Sequence, residues 1–174
     1  RRVFNRLDPE ELNRCIRDWL SSLRRGRVEE VIALDGKTVR HSYDTRTGQP
    51  ASHLVSAWAT ESGLSLGQVK VDGKSNEITA IPQLLEALEV AGCIVTIDAM
   101  GCQRALAEKI ITRKADYLLA VKGNQPNLYQ AIQDAFLDRK DRVAYVEQVE
   151  HGHGRLVTQR CSLLPATGVV PDSD

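Results

Sequence analysis

The chain has 174 residues, which is enough for one domain with a hydrophobic core and a short additional segment. Its apolar content of 42% and charged content of 26% are ordinary globular values, and its zero formal net charge favours no class of partner. The charge is uneven, because residues 1–27 contain eight Arg and four acidic residues. That composition fits either a phosphate-contacting face or a solvated helix face.

Cysteine spacing excludes two kinds of small-domain framework. The four cysteines are far apart and form no CxxC pair: Cys15, Cys93, Cys102 and Cys161. Neither a zinc module nor a disulfide framework is indicated, so we expect buried, reduced thiols. No signal peptide or apolar run of membrane-spanning length is present, which predicts a cytoplasmic protein with no membrane partner. Since the chain begins without Met and has no closing element after Pro165, we expect it to be part of a longer protein.

The first predicted element is a helix. Asp8 is a suitable N-cap, Pro9 suits the first turn, and Glu11 stands at the capping-box position. Apolar residues, Trp19 among them, then recur at spacings of three and four, so we expect one packed face. We predict that residues 1–28 are the end of an N-terminal helical domain and that residues 29–174 form the next domain.

Three strands follow, joined by short turns. We predict the first core strand and its exit over residues 30–40, and further strands over residues 53–60 and 65–71, with a hairpin turn at residues 61–63. Sequential strands with short turns predict an antiparallel meander. Trp58 alternates with polar neighbours in the second strand, and we expect it to lie in the core.

The rest of the chain alternates helices and strands. Helices are predicted after Asn76, around Leu106 and from residue 126 to about Arg139, and strands at residues 93–98 and 116–121. A final hairpin follows, over residues 143–149 and 155–164. The order predicts an α/β fold with a mixed sheet, in which an antiparallel meander precedes right-handed parallel crossovers. This is the ribonuclease H-like order, in which the first and fourth strands lie side by side.

Two aspartates end core strands of this predicted sheet. Asp35 and Asp98 each follow a short apolar run, and adjacent strands are roughly 5 Å apart, so the two carboxylates should meet at one sheet edge. Mg²⁺ binds through one or two carboxylates, and Mn²⁺ is an alternative, so we predict that both residues are metal ligands. The alternative is that each aspartate only caps the turn that follows its strand.

Five stretches occur in the order and at the distances of one protein family: LDGKTVR, KSNEITAIPQLL, IVTIDAMGCQ, DYLLAVKGNQ and HGHGR. Through them, nearly the whole chain resembles the H-repeat-associated insertion-sequence transposases, bacterial DDE enzymes with a ribonuclease H-like core. The resemblance implies cleavage at the ends of a transposable element, joining to target DNA, and a homodimer at full length. It also implies that Asp35 and Asp98 are the first two catalytic residues of the DDE triad. Two Mg²⁺ ions roughly 3.5–4 Å apart suit such chemistry.

The third carboxylate of the triad has no match in this chain. The resemblance places it on a later helix, yet no acidic residue occurs between Glu150 and Asp172. The position two after Arg155 is Val157, where the family has Glu. We therefore expect that the third acid lies beyond residue 174 and that this polypeptide alone does not transpose DNA; a decayed element copy is an alternative. The possible substitutes within the chain are Glu77, Glu147 and Glu150.

Candidate DNA contacts are basic and amide residues. Lys122, Asn124 and Gln125 stand at a strand-to-helix junction, where Gly123 allows close approach and the helix N-terminus favours phosphate. A helix-capping turn is the alternative there. Further candidates for phosphate contacts, with solvated bases as the alternative, are Lys37, Arg40, Lys74 and Arg155.

Other functions remain open on the sequence. A structure-selective nuclease of the same fold would usually gather more acids than Asp35 and Asp98. A non-catalytic DNA-binding or inhibitory remnant of a transposase would have the same fold and would need no third acid. Zinc is not predicted, because a fourth ligand is missing beside His151, His153 and Cys161.

Overall fold

The computed structural model describes residues 6–24, 30–43, 45–48, 50–71, 77–138, 144–152 and 154–169. The helices within these ranges are α1 (Pro9–Arg24), α2 (Glu77–Ala87), α3 (Arg104–Thr112) and α4 (Pro126–Asp138). The strands are β1 (Val31–Thr38), β2 (His53–Ala59), β3 (Leu64–Val71), β4 (Ile94–Ile97), β5 (Asp116–Leu119), β6 (Ala144–Gly152) and β7 (Arg155–Leu163). The chain forms two compact units, Arg1–Ala120 and Val121–Asp174. The domain division at residue 28 stays a prediction.

The first unit contains a five-stranded mixed sheet of order β3-β2-β1-β4-β5. Strand β2 pairs antiparallel with β1 and β3, whereas β4 pairs parallel with β1 and β5. The predicted ribonuclease H-like sheet is therefore confirmed, including the adjacency of the first and fourth strands.

One face of this sheet forms the hydrophobic core with α2 and α3. Ile32 and Leu34 of β1 lie beside Val95 and Ile97 of β4, and all four are at most 5% exposed. Buried residues of the two helices complete the core: Ile81, Leu84, Leu85, Leu106 and Ile110. Full burial of one such side chain contributes roughly 1.5–3 kcal/mol, so this layer holds the strands in register.

Helix α1 begins as predicted but leaves part of its apolar face in solvent. The Asp8 Oδ1 atom accepts hydrogen bonds from the backbone N–H groups of Glu10 at 2.8 Å and Glu11 at 3.2 Å. Leu20 is buried, whereas Trp19 is 60% exposed. Trp58 on β2 is 47% exposed. The predictions that both tryptophans are packed were wrong, because each side chain points away from the α2 and α3 core.

The cysteine prediction was wrong in part. Cys93 and Cys102 are buried, but Cys15 and Cys161 are exposed. Among the residues that the structure describes, no helix combines the length and the apolar composition that a membrane span requires.

The second unit contains α4 and the predicted hairpin of β6 and β7. The hairpin register runs from Ala144 opposite Leu163 to Gly152 opposite Arg155. A cross-strand ion pair supports it, since Arg160 Nε donates to Glu147 Oε2 at 2.7 Å.

A buried carboxylate joins three strands at the end of the sheet where β1 begins. Glu30 is 2% exposed, and its Oε1 atom accepts the backbone N–H of Ser62 in the β2–β3 turn at 2.9 Å. Its backbone carbonyl accepts the N–H of Ile94 at 3.0 Å. Glu30 therefore fixes the start of β1 against both the meander turn and β4.

We expect Glu30→Ala to lower the free energy of unfolding by about 1–3 kcal/mol, because it leaves the half-buried Ser62 N–H without this acceptor. Glu30→Gln should cost less, since its amide oxygen can still accept the bond. Urea denaturation measures both losses, with the exposed neighbour Glu61→Ala as the control. Equal stability of Glu30→Ala and Glu61→Ala would contradict the role of this carboxylate.

Candidate active site

The strand register brings Asp35 and Asp98 together. The parallel pairing of β1 with β4 extends to Leu34 opposite Ile97, and each aspartate is the next residue of its chain segment. Leu34 and Ile97 are buried in the core, so the extended backbone after each turns the following side chain to the other face. Asp35 and Asp98 are both exposed there. The two residues are thus neighbours across strands about 4.8 Å apart.

Asp98 sits in a tight turn between β4 and α3. It is the N-cap of a short 3-10 helix, Ala99–Gly101, and its Oδ1 atom accepts the backbone N–H of Met100 at 3.1 Å. The Gly101 N–H donates to the backbone carbonyl of Asp98 at 3.0 Å. The capping alternative is therefore realised for Asp98. A carboxylate offers about four lone-pair positions, so this single bond leaves acceptor capacity for a cation.

The prediction that Asp35 ends its strand was wrong, because Asp35 lies within β1, which stays paired with β2 to Thr38 beyond the end of its pairing with β4. It stands opposite Ser56 of β2, whose hydroxyl lies 3.4 Å from the Asp35 backbone carbonyl. The Asp35 position is fixed by the sheet ladder and not by a side-chain cap. The carboxylates are therefore held by two different local structures.

A shallow concavity of about 460 Å³ opens beside Asp98. Its walls are largely apolar and come from the ends of β1, β4 and β5: Leu34, Thr96, Ile97, Asp98, Leu118, Leu119 and Ala120.

The donor set fits a hard cation but is incomplete. Two exposed carboxylates on neighbouring strands, one within β1 and one directly after β4, are oxygen ligands of the kind that Mg²⁺ uses, with further positions for water and phosphate. No group of three or more His, Cys, Asp or Glu side chains suited to a metal occurs in the described ranges. Burial raises the pKa of the nearby Cys102 thiol, so this group stays protonated and supplies no thiolate ligand.

The possible substitutes for a third carboxylate lie in different parts of the chain. Glu147 and Glu150 belong to β6 in the second unit, and the side chain of Glu77 lies outside the described part. The hydrogen bond from Arg160, and then that from Tyr145, lowers the pKa of the Glu147 carboxyl. This acid already takes part in the hairpin ion pair.

The predicted DNA contacts are divided between the two units. Lys37 and Arg40 are exposed in the first unit, and Lys74 lies outside the described residues. In the second unit, the residues before α4 form a turn in which the Gln125 N–H donates to the Lys122 carbonyl at 3.0 Å. The other second-unit candidates are Asn124 and Arg155.

The sequence reasoning missed the part that Gly101 plays in placing Asp98. A Cβ atom at Gly101 would overlap the Cγ2 methyl of Ile97 and lie 3.1 Å from its Cβ, although a Cβ at Gly123 would meet nothing within 4 Å. The three small or flexible residues after Asp98 were the available signal, but only the folded turn shows which position tolerates no side chain.

The sequence is similar to known DNA-transposition proteins. Residues 26–170 match the family described as "Transposase DDE domain". In Escherichia coli (strain K12), "H repeat-associated putative transposase YhhI" is 44% identical over 158 residues, covering 88% of this chain and 42% of that protein. From the same strain, "H repeat-associated putative transposase YbfD" is 42% identical over 162 residues, covering 91% of this chain and 64% of that protein. A cryo-EM structure of the piggyBac transposase synaptic complex with hairpin DNA has a TM-score of 0.44 and 10% identity, covering 71% of this chain and 29% of that one.

The sheet order defines a ribonuclease H-like domain. The match over residues 26–170 identifies its family, and the chain belongs to the DDE transposases. The resemblance to the H-repeat-associated members is thereby confirmed. The chain spans less than half the length of YhhI, at 42%.

We expect Gly101→Ala to destabilise the first unit by about 1–3 kcal/mol, because the β-branched Ile97 side chain has little rotamer freedom to move aside. Gly123→Ala is the matched control and should change the free energy of unfolding by less than about 0.5 kcal/mol. Thermal and urea unfolding measure both. If Gly101→Ala were as stable as the parent chain, the tight packing of the Asp98 turn would be contradicted.

Proposed function

We propose that the chain contributes the first two carboxylates of an insertion-sequence transposase that cleaves and transfers DNA strands with Mg²⁺ or Mn²⁺. The observation that carries this proposal is the register of the parallel β1–β4 pair, which puts Asp35 beside Asp98 on an exposed face. Membership of the DDE transposase family supports it.

Asp35 and Asp98 would hold the divalent cations. When bound, such cations activate the attacking oxygen and stabilise the leaving oxygen of a phosphoryl transfer. The protein's own contribution is to hold the two carboxylates fixed. The sheet ladder holds Asp35, and the Met100 N–H holds one oxygen of Asp98.

In this proposal the full-length transposase has a third catalytic carboxylate, in addition to Asp35 and Asp98 of the present chain. We expect the 174-residue chain to bind a divalent cation weakly and to bind DNA without cleaving it. A non-catalytic DNA-binding role is favoured for this chain by the absence of acidic residues between Glu150 and Asp172.

DNA is the proposed partner, and Lys37 and Arg40 are its proposed phosphate contacts near the carboxylate pair. Lys74, Lys122, Asn124, Gln125 and Arg155 stay predictions of the same kind. A homodimer is proposed for the full-length protein, because two element ends must be cut together.

The metal site is tested by titrating the chain with Mn²⁺ and following bound ion by electron paramagnetic resonance. Asp35→Asn and Asp98→Asn should each abolish saturable binding, because each removes a charged ligand. Asp116→Asn is the matched control, since this exposed aspartate lies at the opposite end of the same sheet. It should leave binding unchanged.

Asp98→Asn also separates metal binding from capping. An Asn side-chain oxygen can still accept the Met100 N–H, so the variant should unfold at the temperature of the parent chain. Loss of Mn²⁺ binding at unchanged stability supports a ligand role. Unchanged Mn²⁺ binding in both aspartate variants would exclude the proposed site.

A further inference from the structure

The three-stranded meander has a second face, turned away from α2, which carries Asp35 of the site described above and the proposed DNA contact Lys37. Strand alternation places the residues next to the buried positions of β1, β2 and β3 on this face. We call it the outer meander face, and its polar, charged and aromatic members are Asp35, Lys37, Ser56, Trp58, Ser65, Gln68 and Lys70.

The register arranges the outer meander face in three rows that run across β1, β2 and β3. The rows are Lys37, Leu54 and Lys70; Asp35, Ser56 and Gln68; and Ala33, Trp58 and Ser65. Residues two apart on a strand are separated by about 7 Å. The row that contains Asp35 is therefore flanked on one side by two lysines and on the other by an exposed tryptophan.

The charge of this face suits a nucleic acid. Lys37 and Lys70 are both exposed, and Asp35 is the one acid that β1, β2 and β3 present there. The backbones of the two lysines lie about 10 Å apart, because β2 separates the strand of Lys37 from the strand of Lys70. They can contact neighbouring phosphates, while Asp35 lies at the β4 side of the face beside Asp98.

Trp58 adds an exposed aromatic surface to the two lysines of the outer meander face. Its indole is 47% exposed on a strand whose neighbouring outward residue is Ser56, so a large aromatic surface lies beside polar groups. Nucleobases stack on such surfaces in proteins that bind single strands. The two lysines lie on one side of the Asp35 row and the indole lies on the other side. A single DNA strand fits this arrangement if its phosphates face the lysines and one of its bases faces the indole.

We propose that an unpaired DNA strand lies across the outer meander face, with Lys37 and Lys70 at its phosphates and Trp58 stacked on one of its bases. The inference rests on the proposed function, because the strand leads to Asp35 and Asp98. It adds Trp58 and Lys70 to the proposed DNA-binding residues. It also specifies that the outer meander face binds single-stranded DNA.

The test uses the fact that the chain has two tryptophans. In a Trp19→Phe variant, Trp58 is the remaining fluorophore. A dye-labelled oligothymidylate of about twelve nucleotides should bind, as followed by anisotropy, and should quench Trp58 emission saturably at the same concentrations. In Trp58→Phe, which keeps an aromatic surface, binding should persist while the emission of Trp19 stays unchanged.

Affinity measurements complete the test. Trp58→Ala should bind roughly 5- to 150-fold more weakly, the loss expected for one stacked base. Lys70→Gln should lower the slope of log affinity against log salt by about 0.7, the value for one phosphate contact to a single strand. Lys114→Gln is the matched control, because this exposed lysine precedes β5 at the opposite end of the sheet.

The possible outcomes separate the inference from the proposed function. Quenching of Trp58 together with weaker binding by Trp58→Ala supports the inference. Binding of the oligonucleotide with unchanged Trp58 emission and unchanged Trp58→Ala affinity overturns it, and absence of binding overturns it as well. The Mn²⁺ titration is independent of these results, so loss of the metal site with retained Trp58 quenching would reject the catalytic proposal alone.

Discussion

The parallel pairing of β1 with β4 is the constraint on which the rest of the first unit depends. It ends with Leu34 beside Ile97, two side chains that the core buries on one face of the sheet. Because the backbone alternates, burial of this pair turns Asp35 and Asp98 to the other face. Packing that stabilises the fold therefore also sets the relative position of the two carboxylates, and a shift of one residue would separate them.

The two ends of this sheet use acidic residues in different ways. At the beginning of β1, Glu30 is buried and its hydrogen bond to Ser62 joins the strand to the meander turn. At the other end, Asp35 and Asp98 are exposed, and only Asp98 has a capping bond, from Met100. A buried carboxylate must be fully hydrogen-bonded, whereas an exposed one can keep acceptor capacity for a cation.

The two faces of the meander differ in burial and in composition. The inner face is filled by aliphatic side chains beneath α2. The outer face carries lysines and Trp58, an arrangement that hydrophobic packing does not require.

Local patterns in the sequence were sufficient to predict the element order, because apolar runs, the Asp8 cap and turn residues act over a few positions. They also predicted the adjacency of β1 and β4, since a meander followed by right-handed crossovers admits few sheet orders. They could not decide where Trp19 and Trp58 point, because the apolar face of a helix or strand is packed only if another element covers it. Nor could they identify Gly101 as the residue that the Asp98 turn requires, since its overlap with Ile97 exists only in the folded turn. The sequence by itself determined the strands and the two aspartates that follow their apolar runs. The tertiary structure decided which side chains share a face, because that depends on register and on the elements packed above each sheet surface.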